Sequence, residues 1–419
     1  SATPDFTDAL ESVVREVRGD PAAAVVDVTR LSGGASRETW AVGVRRGDGT
    51  DDPLILQRAR AGASGAREGS LGMGGEAALL GAMAAAGVPV APVLAGETEA
   101  GRLGASFLLM ERVEGETIAR RLLRDPEWEV ARERFVADAA AALAGIHGLP
   151  LDAAPPLPAP DQVAMLRDLH DSLGHPHPVF ELAFRWLEAH RPAQARHAVV
   201  HGDFRLGNLL IGPEGLRAVL DWELTHAGDP VEDLGWLCVR AWRFGAPAPV
   251  AGLGERAGLL AAYAAASGIE VSLDELRWWE VLGTLKWGVI CILQTVTHLA
   301  GLSRSVELAA IGRRVCETEY DLLLLLGHDV EVPAVPAVPA TSAPPHDRPG
   351  AAELVDAVRE YLERDVVDAT SGRVQFHARV AVNVLGAVAR ELTAGADQAA
   401  AHAARLAALG VADDAELAA

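Results

Sequence analysis

The chain has 419 residues with 58 acidic against 37 basic side chains, and a formal net charge of −21 at pH 7. That sign argues against nucleic acid and anionic membrane surfaces as partners, while the length leaves room for two or three domains with a sizeable core. The three cysteines, Cys238, Cys291 and Cys316, have no disulfide or zinc spacing, which points to a reducing cytoplasm.

The amino terminus is acidic and has no apolar run of the kind a signal peptide needs. Phe6, Leu10, Val13, Val14 and Val17 recur at helical spacing and predict a helix over 6–19. Alternating and β-branched runs at 25–31, 39–45 and 53–58, separated by glycine turns, predict three antiparallel strands. A helix from 75 to 86 and two strands, 88–95 and 105–112, complete a small lobe over 1–112. From 113 to 329 the periodicity is helical, over 116–124, 127–147, 160–173, 178–190, 233–243, 254–267, 273–300 and 304–326. The most apolar stretch, 281–302, contains Lys286, Gln294 and His298 and reads as a buried helix rather than a membrane span. A Pro/Ala-rich linker occupies 330–349. Three amphipathic helices, 351–364, 373–393 and 396–409, then form an accessory domain over 350–419. Its apolar stripe of Leu354, Val358, Tyr361 and Leu362 has to be covered by the preceding domain or by a second copy in a homodimer.

One segment carries the chemistry. Residues 201–208 read His-Gly-Asp-Phe-Arg-Leu-Gly-Asn, and Asp221 ends the apolar run that follows. Kinases use H-R-D-x-x-x-x-N, and Asp203 and Asn208 keep that spacing although Gly202 stands in place of the Arg. Transfer of a phosphoryl group from ATP to a hydroxyl needs a carboxylate to take or orient the hydroxyl proton, and oxygen ligands to hold Mg²⁺ on the phosphates. Asp203 suits the first task. Asn208 and Asp221 suit the second, with Glu223 close enough to serve a second metal.

The chain resembles the aminoglycoside phosphotransferase/choline kinase superfamily, and within it the kinase-like domain fused to some acyl-CoA dehydrogenases. The residues that carry the likeness are Leu31-Ser-Gly-Gly-Ala-Ser-Arg-Glu-Thr-Trp40, Phe107 to Glu116, Val200 to Leu209 and Val219 to Leu234, in family order over about residues 25 to 325. The resemblance implies an α+β, bilobal protein-kinase-like fold. Ser32, Gly33, Gly34 and Ser36 would bring backbone N–H groups and hydroxyls to the ATP phosphates. Backbone groups of Glu111 and Val113 would meet the adenine edge.

The family's third strand carries a Lys or Arg where this chain has Gln57, and Lys286 is the only lysine. Either Arg58 serves after a one-residue shift, oriented by Glu76, or Gln57 makes a neutral contact. Asp229 and Asp233 fit helix capping and bracing of the catalytic loop. Trp236, Trp242, Trp278, Trp279 and Trp287, with Arg240 and Arg243, outline an aromatic acceptor pocket with an anion-binding edge. The acceptor is a small-molecule hydroxyl, on a hydroxy acid or hydroxyacyl-CoA. The alternatives are an aminoglycoside or choline-like aminoalcohol, and a pseudokinase-like binding module without transfer.

Overall fold

The computed structural model describes residues 4–31, 37–59, 71–99, 101–193, 196–330 and 349–419. The chain divides into two compact units, Ser1–Asp161 with Pro192–Gly283, and Gln162–Arg191 with Thr284–Ala419. This division groups two helices of the middle region with the C-terminal helices.

In the first unit the apolar stripe of α1 (Pro4–Arg18) covers one face of a five-stranded antiparallel sheet. The strands are β1 (Ala24–Arg30), β2 (Arg37–Arg45), β3 (Asp51–Ala59), β4 (Val93–Glu97) and β5 (Phe107–Glu111), in the order β1-β2-β3-β5-β4. Strand alternation places Trp40, Val42, Val44, Leu54, Leu56, Phe107 and Leu109 in one core with Leu10, Val13 and Val14 of α1. The opposite face carries Gln57, paired in register with Leu108, and there α2 (Gly72–Ala85) packs against β4 and β5. β4 begins at Val93 rather than 88 because Pro89 and Pro92 have no N–H for a ladder.

The remainder of this unit holds α3 (Ala119–Arg124), α4 (Glu129–His147), β6 (Ala198–Val200), the hairpin of β7 (Leu209–Gly212) and β8 (Gly215–Val219), β9 (His226–Gly228), α7 (Val231–Cys238) and α8 (Arg256–Ser267). The start of α9 (Leu273–Leu299) also belongs to it. α7 and α9 approach closely at Gly235, where an added Cβ would stand 2.6 Å from Trp279 Cβ. Trp236, next to this contact, reaches Asp203 of the segment 201–208.

The second unit contains α5 (Gln162–Leu173), α6 (Pro178–Ala189), the rest of α9, α10 (Val306–Gly312) and α11 (Val315–Leu325). The expected single helix over 304–326 is broken between α10 and α11. The C-terminal part has α12 (Ala351–Tyr361), which continues through a wide turn into α13 (Val367–Ala369), then α14 (Gly372–Leu409) and α15 (Asp414–Ala418). The expected helices 373–393 and 396–409 are one, because Gly395 keeps a helical conformation and an interior glycine costs a helix only about 1 kcal/mol. α14 packs on α10, with Arg313 bonded to Glu391 at 2.7 Å, and α15 packs on α6. Leu354, Val358 and Tyr361 remain exposed in this fold. The Pro/Ala segment 331–348 lies outside the described residues. Among the described residues no helix is long and apolar enough to cross a membrane.

Candidate active site

The segment from His201 to Asn208 links β6 to β7, and Asp221 lies just beyond β8. The two ends are tied together by Leu220 N–H donating to Asn208 O at 2.8 Å and by His201 Nε2 bonding to Leu220 O at 3.0 Å. His201 Nδ1 accepts from Asp203 N–H at 3.1 Å, so the proton sits on Nε2. Burial lowers the pKa of this imidazole, which keeps it neutral in that tautomer. Its ring meets Trp222 edge-on at 4.7 Å.

Gly202 has φ +81°, and a Cβ there would lie 2.5 Å from the Leu224 carbonyl oxygen. The Arg of the kinase motif therefore has no room in this loop. Asp233 of α7 holds the same loop from below. Its Oδ2 accepts from His201 N–H at 2.8 Å and its Oδ1 from Gly202 N–H at 2.9 Å, as the bracing role requires. His147 Nε2 meets Asp233 Oδ2 at 3.1 Å, and His147 Nδ1 meets the Tyr263 hydroxyl at 2.8 Å. Asp229 caps α7 through Val231 N–H at 3.0 Å.

Asp203 is held on three sides. Trp236 Nε1 donates to Oδ1 at 2.8 Å, Arg205 Nε to both oxygens at 3.1 and 3.2 Å, and Asn208 Nδ2 to Oδ2 at 2.6 Å. The Arg205 guanidinium lies 4.9 Å over the Trp242 ring. Both hydrogen bonds from Asn208 use Nδ2, which leaves its amide oxygen uncommitted. Asp221 sits in the left-handed region at φ +64°, a conformation Asp tolerates better than most residues and one that clusters at functional sites. Burial pushes its carboxyl up to about 7, with further contributions from Glu223 and Asp203. No hydrogen bond reaches this carboxylate among the described residues. Oxygen donors, an unpartnered acid and mutually repelling carboxylates fit a hard divalent cation.

On the small lobe, Glu76 of α2 is buried and ion-paired with Arg37 of β2 at 2.7 Å. Arg37 also donates to Gln57 Oε1 at 3.1 Å and reaches Glu223 Oε2 at 3.4 Å. This corrects the expected pairing of Glu76 with Arg58. Strand alternation turns Arg58 to the other face, where its guanidinium lies 5.1 Å over the Phe6 ring. Neither Arg37 nor Arg205 stands out in the chain as a site residue. Each has only a local signal, Arg205 two positions after Asp203 and Arg37 directly after the Gly-rich stretch Ser32–Ser36.

At the end of β5, Glu111 N–H donates to Pro92 O at 2.9 Å and Arg112 N–H to Pro53 O at 3.0 Å. Pro92 has no N–H to return, so the Glu111 carbonyl is left open beside Val113. The Glu111 side chain bonds to Arg18 instead. Ser32, Gly33, Gly34 and Ser36 lie outside the described residues.

The tryptophan set divides. Trp236 and Trp242 stand at Asp203, while Trp278 and Trp279 are buried against each other, with ring centroids 4.8 Å apart. Trp287 belongs to the second unit. Arg243 is bound to Glu280 at 2.9 Å and to the Cys238 carbonyl, so it forms no open anion-binding edge.

Over residues 27–278 the chain matches the phosphotransferase enzyme family, and over 368–419 a domain of unknown function, DUF6285. Acyl-CoA dehydrogenase family member 10 of Mus musculus is 30% identical over 247 residues, which are 55% of this chain and 22% of that protein. Family member 11 of Gallus gallus is 30% identical over 169 residues, 37% of this chain and 21% of that protein. The chain thus spans about a fifth of the length of these curated relatives. In fold it is similar to a putative aminoglycoside phosphotransferase of Ralstonia eutropha, with TM-score 0.59 and 20% identity over 76% of this chain and 97% of that one. It is also similar to a choline/ethanolamine kinase family protein of Mesorhizobium loti, with TM-score 0.51 and 21% identity over 77% of this chain and 95% of that one. At such identities the likeness shows the fold alone. With strands β2 to β5 and the segment from His201 to Asp221 all inside the matched stretch, the chain belongs to the phosphotransferase enzyme family, on a bilobal kinase-like fold followed by a distinct helical C-terminal domain.

Proposed function

We propose that the chain is a Mg²⁺-dependent ATP phosphotransferase acting on a hydroxyl of a small molecule. The observation that carries this reading is the fixed Asp203 carboxylate, clamped by Trp236, Arg205 and Asn208, with the unpartnered Asp221 carboxylate in the same cluster.

In this reading the acceptor hydroxyl gives its proton to Asp203 as its oxygen bonds to the γ-phosphorus, and the bond from that phosphorus to the β,γ-bridging oxygen breaks to release ADP. Asn208 and Asp221 would hold Mg²⁺, with Glu223 as an outer carboxylate. The bound metal supplies charge neutralisation on the phosphates. The Glu111 carbonyl and Val113 N–H meet the adenine edge, and the Gly-rich stretch from Ser32 to Ser36 serves the phosphates. Three side chains bonded to Asp203 keep its oxygens aimed at one place, which is the positioning that phosphoryl transfer needs.

For the acceptor, we infer a hydroxy acid or hydroxyacyl-CoA. Arg205 spends its Nε on Asp203, and its Nη groups make no hydrogen bond among the described residues; lying over Trp242, they offer N–H donors and an aromatic face to an acidic substrate, and the curated relatives' names contain acyl-CoA dehydrogenase. An aminoglycoside or aminoalcohol is the alternative acceptor class. A binding module without transfer is the second reading, favoured by Gln57 at the strand position that is basic in the family.

Radiolabel transfer from γ-labelled ATP with Mg²⁺ to a panel of hydroxy acids, hydroxyacyl-CoAs, aminoalcohols and aminoglycosides tests these readings. Transfer to an acidic acceptor is the expected result. Nucleotide binding with no transfer to any acceptor would replace the enzyme with the binding module.

A further inference from the structure

We propose that Arg37 of β2 is the cation that meets the nucleotide phosphates in this chain, a role displaced from β3 by one strand. The inference rests on the phosphotransferase reading above and deepens it.

Among the described residues of the small lobe few cations are available. Lys286, the single lysine, lies in α9 and outside that lobe. In the small lobe Arg18 is engaged by Asp52 and Glu111, Arg30 by Glu38, Arg45 by Asp51, Arg46 by Asp20 and Asp52, and Arg102 by Glu97 and Glu16. Arg58 lies on the α1 face of the sheet. Arg37 is the arginine that reaches Glu76 among the described residues, and it directly follows the Gly-rich stretch Ser32–Ser36.

The geometry around Arg37 is that of an exchange between neighbouring strands. In the β2–β3 register Arg37 pairs with Ala59, which makes Gln57 its diagonal neighbour on the same face. The Gln57 amide oxygen accepts from Arg37 Nη1. A Lys or Arg at position 57 could not accept that bond and would set a second positive charge against the first. The neutral amide and the relocated guanidinium therefore form a consistent pair.

Arg37 bridges two walls of the site, with Nη2 on Glu76 and Nε toward Glu223, two residues from Asp221. Burial works against its charge, and Glu76, Glu223 and Asp221 more than offset that, so its pKa is raised and the guanidinium is permanent. Nη2 pairs with Glu76, Nη1 donates to Gln57 and Nε lies 3.4 Å from Glu223, so among the described residues one N–H on each of Nη1 and Nη2 remains for phosphate oxygens.

The test is titration of ATP and ADP, with and without Mg²⁺, against the full chain and its variants, read by calorimetry. Arg37→Ala should weaken binding about ten-fold or more, and Gln57→Lys added to Arg37→Ala should restore most of it. Arg58→Ala, and Arg60→Ala from the segment outside the described residues, should bind within about two-fold of the parent. Because Arg37→Ala leaves the buried Glu76 carboxylate without its partner, Arg37→Ala combined with Glu76→Gln is the variant to use if the single change does not fold. Parent-like binding in a folded Arg37 variant overturns this proposal alone, as does a loss that follows Arg60 instead. A parent chain that binds no nucleotide overturns both this proposal and the phosphotransferase reading.

Discussion

Asp233 Oδ2 receives the His201 N–H at 2.8 Å and His147 Nε2 at 3.1 Å, so one buried carboxylate joins the loop that begins at His201 to the end of α4. Burial alone would raise the Asp233 pKa, but His147 and His201 outweigh it and the net shift is downward. The carboxylate thus stays ionised inside the protein. A depressed carboxyl contributes stability that is present above its unfolded pKa and is lost as pH falls through the folded value.

Asp233→Ala should lower stability by about 3 kcal/mol or more, since it strands two backbone N–H groups and the His147 ring in a dry site. Urea unfolding monitored by tryptophan fluorescence measures this. A midpoint equal to the parent's would show that the loop does not depend on this carboxylate.

Asp203→Asn should slow transfer by about 10² to 10⁴-fold with nucleotide affinity nearly unchanged, the range for loss of a positioned acid or base. Single-turnover kinetics beside a binding titration separates the two quantities. Activity within a few-fold of the parent removes Asp203 from proton transfer.

Asp221 has the opposite linkage to Asp233. Its carboxyl is raised to about 7 in the metal-free protein, so its favourable contribution is present below the ordinary carboxylate range and is lost as pH rises toward 7. Asp221→Asn should therefore melt higher than the parent at pH 8 without metal, with the gap narrowing as pH falls from about 7 and closed only below the ordinary carboxylate range. The same variant should lose the stabilisation that Mg²⁺ and nucleotide give the parent. Melting curves across pH, with and without Mg²⁺ and ADP, check both halves. A variant that melts lower than the parent at pH 8 contradicts the carboxylate repulsion inferred here.

Gly202→Ala should destabilise the chain by about 2 kcal/mol or more, because a Cβ meets the Leu224 carbonyl and the backbone is left-handed. Gly202→Arg, which would write the kinase motif in full, should do worse. Recovery of well-folded, active Gly202→Arg protein would mean that the Leu224 backbone moves aside easily.

The chain by itself determined what is local. The spacing of Asp203 and Asn208, the apolar strand that ends at Asp221 and the helical stripe of α1 are set by residues adjacent in sequence, and periodicity makes them readable. Only the tertiary structure decided which face of β3 meets α2. With a side-chain period of two, that choice sends Gln57 to Glu76's side and Arg58 to Phe6, and it lets Arg37 arrive from the neighbouring strand. The supports of the His201–Asn208 loop are of the same kind, for His147, Tyr263 and Asp233 come from α4, α8 and α7 and meet only when those helices pack. The continuity of α14 through Gly395 was also hidden, because the cost of one interior glycine is smaller than what packing on α10 and α12 returns. Bonds along the chain are written in its order, whereas pairing across the fold depends on the sum of packing energies, and no short window of sequence contains that sum.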